Sequence, residues 1–214
     1  MFGLQAKDAP QPLIDFFGGI EKVTCPVDDP SFLTRISDSA PVPEKPIDIK
    51  KEIPPECFIQ KEKVILFQAG KIDEYGQGCD GPIEKVVRDF IVRGDWVRLV
   101  DIKAGVEHFG RRISENMDVI LLVLDPTLES VSIAYRLNSF SKKMRTKSFW
   151  IILNKIESEE IEGKMMEKLG KLKTKIIGTV HCDPEVIKAG LEGFLGECRA
   201  LEEVREIVEK LKGQ

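Results

Sequence analysis

The sequence predicts an α/β fold: a mostly parallel, doubly wound sheet with helices on both faces. Two observations predict it. Beyond residue 62, apolar runs of strand length alternate with segments whose apolar residues recur at helical spacing. The runs are continuous rather than alternately polar, the pattern of parallel strands buried on both faces.

Residues 1–62 read as a proline-rich, loop-dominated segment, and 63–214 as the α/β, nucleotide-binding-like domain. Seven of the twelve prolines lie between Pro10 and Pro46. Proline fixes its own φ and lacks the amide donor, so such a stretch is mostly loop. A short helix over 13–17 and a strand over 22–25 are the only regular elements expected there.

The first strand of the regular part covers 64–67. Ile83, Val86, Val87, Phe90 and Ile91 then share a helical face after Pro82, a favoured first-turn residue. Strands follow at 96–100, ending in Asp101, and at 119–124, ending in Asp125-Pro126. A helix over 128–143 carries Val131, Ala134, Tyr135 and Leu137 on one side. The next strand, 149–153, ends in Asn154-Lys155. A charged helix over 158–171, a strand over 176–180 and a terminal helix over 200–212 complete the order.

Net charge is −4 across 214 residues, which argues against a nucleic-acid partner. No apolar run approaches the ~18 residues of a membrane span. The N-terminus lacks a basic region followed by an apolar stretch, so no secretory signal is expected. Five scattered cysteines, an odd number, fit reduced thiols in a cytoplasm better than a disulfide framework.

Ligands of a doubly wound sheet bind beyond the carboxyl ends of its strands. Asp101 stands at such an end, with Gly105 four residues on. An aspartate there either holds the water shell of Mg²⁺ or caps the following helix. The glycine lets the backbone swing toward a terminal phosphate, as in nucleotide switches. Asn154-Lys155 suits reading of a purine edge, or is a plain turn. Gly76–Pro82 is glycine-rich before a helix and could cradle an anion, yet fits neither the Walker A pattern nor the dinucleotide fingerprint. Cys79 sits near that helix start, where the dipole favours thiolate.

Together these segments resemble the nickel-insertion ATPases of carbon monoxide dehydrogenase. Val100-Asp101-Ile102-Lys103-Ala104-Gly105-Val106-Glu107-His108-Phe109-Gly110-Arg111 resembles their switch II stretch. Gly78-Cys79-Asp80-Gly81-Pro82 is similar to their Gly-Cys-x-Cys-Pro motif. Asp183-Pro184, with Ala189 and Gly193, resembles their adenine-closing loop. The resemblance runs from about Lys63 onward. It implies a P-loop NTPase-like fold of the nitrogenase iron protein and septum-site ATPase kind, with ATP and Mg²⁺ as ligands. It assigns Asp101, Gly105, Asn154, Lys155 and Asp183 to nucleotide and Mg²⁺, and Glu107 and His108 to a switch that meets a protein partner. The implied partners are a second copy of the chain and a metalloenzyme client.

Three departures shape the expectation. No glycine-rich Lys-Ser or Lys-Thr loop occurs, as if the first strand–loop–helix unit were missing by N-terminal truncation. Gly81 replaces the second cysteine of the metal motif, and Lys103 a residue usually acidic or polar. Cys79 alone therefore offers one thiolate, toward a metal at a subunit interface, and tight Ni or Zn in a monomer is not expected. The phosphate loop supplies the amides and lysine that stabilise phosphoryl transfer. The leading expectation is thus a degenerate, non-hydrolytic accessory in metalloenzyme maturation. The alternatives are an active metal-insertion ATPase whose loop comes from elsewhere, and a structural scaffold subunit.

Overall fold

The computed structural model describes residues 8–35, 40–72, 74–75, 78–103, 105–141, 143–144, 146 and 148–213. Internal contacts divide these between two compact units, meeting in sequence at Asn116 and Met117.

In the unit ending at Asn116, the proline-rich segment builds a core of its own. Leu13, Ile14, Phe17, Val23, Leu33, Val42, Ile47 and Ile53 are buried together with Val86 and Phe90. The last two belong to α3 (Gly81–Asp89) and its C-terminal cap. Short helices α1 (Leu13–Phe16) and α2 (Ile49–Glu52) interrupt the loops. Residues 22–25 form no strand, contrary to expectation, and the amides of Lys22 and Val23 bond back to the Gly19 carbonyl instead.

The polar side of α3 explains how so much loop stays ordered. Arg88 and Asp89 are 1% and 0% exposed. Arg88 Nε donates to Asp89 Oδ1 at 2.6 Å, and Asp89 Oδ2 accepts the Leu33 amide at 2.7 Å. Arg88 Nη2 also reaches the Ser31 carbonyl at 2.9 Å. Lys85 Nζ meets Asp29 Oδ2 at 2.8 Å, and this bond holds Asp29 well below the usual carboxylate range. Buried charge is tolerated only when paired and hydrogen-bonded, and here loop backbone supplies much of the partnership.

Two further expectations for this unit are corrected. Strand β2 (Val64–Phe67) pairs antiparallel with β1 (Phe58–Lys61), not in a parallel sheet. The two-residue turn at Glu62-Lys63, with Glu62 at φ 54°, folds the chain back at once and sets Phe58 opposite Phe67. Residues 96–100 form no strand. Val97 and Leu99 are 96% and 87% exposed; a strand exists only where a neighbour completes its ladder, and apolar sequence alone does not supply one.

The second unit is α/β, with a parallel three-stranded sheet in the order β3-β4-β5. The strands are β3 (Val119–Leu124), β4 (Ser148–Ile156) and β5 (Ile176–His181). β3 and β4 run in register from Val119–Ser148 to Leu124–Leu153. The crossover helices are α5 (Leu128–Ser141) and α6 (Glu159–Leu169). α5 buries Val131, Ala134 and Leu137 at three-residue spacing. Ser158 caps α6 by accepting the Ile161 amide at 3.3 Å. The terminal helix α8 (Arg199–Lys212) lies on β5, where Gly178 leaves room for Ile207. α7 (Pro184–Glu192) is a helix the sequence reading did not include. Its signals were present: an aspartate cap, proline in the first turn and Gly193 at φ 77° past the end.

Candidate functional site

The carboxyl ends of β3, β4 and β5 place Asp125, Asn154, Lys155 and Asp183 at the same edge of the parallel sheet. Asp125 follows β3 directly and accepts from two consecutive residues of β4. Asn154 Nδ2 donates to its Oδ1 at 2.9 Å, and Lys155 Nζ to its Oδ2 at 2.7 Å. The Lys155 bond, aided by Asn154, holds the Asp125 carboxyl below its ordinary range and raises the Lys155 ammonium.

Local backbone makes this arrangement possible. The β4–β5 register shifts between Leu153 and Ile156, and Lys155 sits at φ 54°. A side chain other than glycine is uncommon in that region. Bulges of this kind re-aim side chains at strand ends. The β4 end is thus turned so that an amide and an ammonium present themselves side by side.

Asp183 has both carboxylate oxygens engaged. Oδ1 accepts the Glu185 amide at 3.0 Å and Oδ2 the Ala200 amide at 3.1 Å, so one side chain ties the starts of α7 and α8. The Ala200 bond foremost, then that of Glu185, lowers its pKa. Beside it, Glu203 accepts from the His181 backbone amide at 2.8 Å and pairs with the ring Nδ1 at 2.7 Å. Burial raises the Glu203 carboxyl, but these bonds and Arg199 bring it below its ordinary value. Sequence reasoning missed the His181–Glu203 pair, since the partners are far apart in the chain.

In the other unit, Asp101 is exposed, in irregular backbone, and makes no hydrogen bond among the described residues. It is not a helix cap: α4 (Glu107–Gly110) begins six residues later, with Val106 at the cap position. Asp101 is one of the residues lining a groove of about 430 Å³, with Val64–Phe67, Val86, Phe90 and 96–100. Gly105 has φ 129°, a backbone conformation that favours glycine at this turn. Ala104, Gly76 and Gln77 lie outside the described residues.

Glu107 is exposed, whereas His108, expected beside it at a partner surface, turns inward. Its Nδ1 lies 2.6 Å from Glu84 Oε1 on α3. Arg111 Nη1 joins the same oxygen at 2.5 Å and Asp80 Oδ1 at 2.6 Å. Burial raises Asp80, yet Arg111 outweighs it and the carboxyl stays below its usual range. Donor atoms of Asp80, Glu84 and His108 converge within 4.8 Å, a spacing suited to a metal. The Arg111 guanidinium already provides the cation between the two carboxylates. This network clamps the stretch after Gly105 to α3. Cys79 is exposed at the same helix start.

No helix among the described residues is long and apolar enough to cross a membrane. No family model matches the chain. It is 32% identical to an uncharacterised ATP-binding protein of Methanocaldococcus jannaschii over 164 residues, covering 74% of this chain and 64% of that protein. It is 23% identical over 147 residues to the carbon monoxide dehydrogenase accessory protein of Rhodospirillum rubrum, covering 67% of this chain and 55% of that one. The chain thus spans less than two thirds of the length of these relatives. Among solved structures, the MinC:MinD cell division complex of Aquifex aeolicus aligns with a TM-score of 0.51 at 18% identity, over 94% of this chain and 78% of that one. The chain is thus similar in sequence to ATP-binding proteins, the carbon monoxide dehydrogenase accessory protein among them, and its fold is similar to that of MinD.

Proposed function

We propose that these 214 residues act as a non-hydrolytic accessory in maturation of a metalloenzyme such as carbon monoxide dehydrogenase, working by binding a protein partner. The observation that carries this reading is a combination. No glycine-rich Lys-Ser or Lys-Thr loop occurs in the sequence, while a built polar cluster stands at the sheet's carboxyl edge. Positioning of the phosphates and stabilisation of their charge supply nearly all of phosphoryl-transfer catalysis. A chain with the base side and without the loop retains recognition and loses turnover.

In this reading Asn154 and Lys155 receive a purine, with Asp125 fixing their orientation and Asp183 shaping the wall. In the other unit, taken by itself, Asp101 and Gly105 are the candidates for contact with Mg²⁺ and phosphate, and the exposed Glu107 faces the partner. His108 transmits position to α3 through Glu84. A second copy of the chain and the apo-metalloenzyme are the partners, in a cytoplasm. The supporting test is association with apo carbon monoxide dehydrogenase measured by sedimentation. A complex that Glu107→Lys weakens at least tenfold is expected; equal binding by the variant overturns the assigned surface.

A second reading is favoured by one specific observation. The segment 96–100 exposes Val97 and Leu99 and belongs to no strand among the described residues. A strand supplied with a phosphate loop by another polypeptide would pair there and complete an active metal-insertion ATPase. Turnover that appears only when a loop-bearing polypeptide is added supports this reading against the first.

A further inference from the structure

Cys25 and Cys79 are 54 positions apart in the sequence, yet both thiols border the space above Gly81. A Cβ built on Gly81 would lie 2.5 Å from Cys25 Sγ and 3.4 Å from Cys79 Sγ. The two sulfurs are therefore at most about 6 Å apart, where a metal bound to two thiolates at roughly 2.3 Å each needs about 4.6 Å or less. Cys79 is exposed and Cys25 half-buried, so the Cys79 side chain has room to change rotamer. Neither thiol is in a disulfide.

The loop carrying Cys25 is fastened to α3. Lys85 Nζ donates to Thr24 Oγ1 at 3.4 Å, to the Asp29 carbonyl at 3.1 Å and to Asp29 Oδ2 at 2.8 Å. The amides of Asp28 and Asp29 bond the Cys25 carbonyl at 3.0 and 2.9 Å. Lys85 lies one turn past Gly81 on the same helix, so the anchor fixes Cys25 against the helix start that bears Cys79.

We propose that Cys25 and Cys79 form a two-thiolate site for a soft, low-coordinate metal ion, Cu(I) being the chemical type. Thiolates select such ions over divalent ions that demand more donors. A tetrahedral site is not preformed: among the described residues, the one cluster of three donors is Asp80, Glu84 and His108, and Arg111 already bridges its carboxylates. Gly81 is integral to the site, because a side chain there would collide with Cys25 Sγ and press on Cys79 Sγ. The site stands independently of whether the chain binds nucleotide.

The test is an anaerobic titration of the fully reduced chain with Cu(I) in competition with bicinchoninate. One equivalent per chain should be retained against the chelator. Cys25→Ala and Cys79→Ala should each lose at least tenfold in affinity, while the Cys182→Ala/Cys198→Ala double variant binds as wild type. Gly81→Ala keeps every thiol and should still weaken binding at least tenfold, with folding checked by circular dichroism. Wild-type affinity in Cys25→Ala or in folded Gly81→Ala, or copper spread evenly over all five thiols, overturns the proposal.

Discussion

Asp125 and Lys155 meet at 2.7 Å across the carboxyl ends of two adjacent parallel strands. The pair lowers Asp125 through the Lys155 bond first, opposed by burial and helped by Asn154. A carboxyl lowered in the folded state stabilises fully above its unfolded pKa, about 3.9, and loses that contribution as pH falls through the folded value. An NMR titration should therefore find the Asp125 midpoint below the ordinary aspartate range. In Lys155→Met the midpoint should return toward it. An unchanged midpoint would show that the ion pair does not form in solution.

Lys155 also carries a backbone cost. Its φ of 54° lies in the left-handed region, which disfavours a residue with a Cβ by roughly 1–2 kcal/mol. Loss of an exposed ion pair costs only about 0–1 kcal/mol. Lys155→Gly should then match or exceed wild type in denaturant midpoint, whereas Lys155→Met should fall slightly below it. A glycine variant less stable than the methionine variant would contradict the strain argument.

The Arg88–Asp89 pair predicts a much larger effect. Removing one member of a fully buried pair leaves an unmatched charge and costs about 3–5 kcal/mol. Asp89→Ala also strips the Leu33 amide of its acceptor. Chemical denaturation should show the unit ending at Asn116 losing most of its stability. A loss below about 1 kcal/mol, the scale of an exposed ion pair, would mean that the pair is not buried.

What the sequence made legible follows from how local the cause was. β3 to β5 and α5 to α8 rest on apolar runs and periodic faces, and all but α7 were visible there. The hairpin was not: Val64–Phe67 reads equally well as a parallel or an antiparallel strand, and the choice lies with the turn at Glu62-Lys63. The segment 96–100 has strand composition without a ladder neighbour, a condition no local pattern records. Likewise Asn154 and Lys155 were legible as strand-end residues, while their common acceptor, Asp125, and the Asp80–Glu84–His108–Arg111 network depend on contacts across the fold. The core of the proline-rich segment stayed hidden because its apolar residues follow neither helical nor strand spacing, and charged residues of α3 help to tie its loops down.

Gly178 tests the packing of α8 on the sheet. A Cβ there would overlap Ile207 Cγ1, and overpacking of this kind costs about 1–3 kcal/mol. Gly178→Ala should lower the thermal midpoint, and adding Ile207→Ala should recover part of the loss. Equal midpoints for Gly178→Ala and wild type would place α8 farther from β5 than described.

The central claim, recognition without hydrolysis, is tested most directly by ATP turnover of the purified chain with Mg²⁺, followed as phosphate release. The account predicts release no faster than in buffer, with Asp101→Ala indistinguishable from wild type. Release well above buffer that Asp101→Ala abolishes would contradict it.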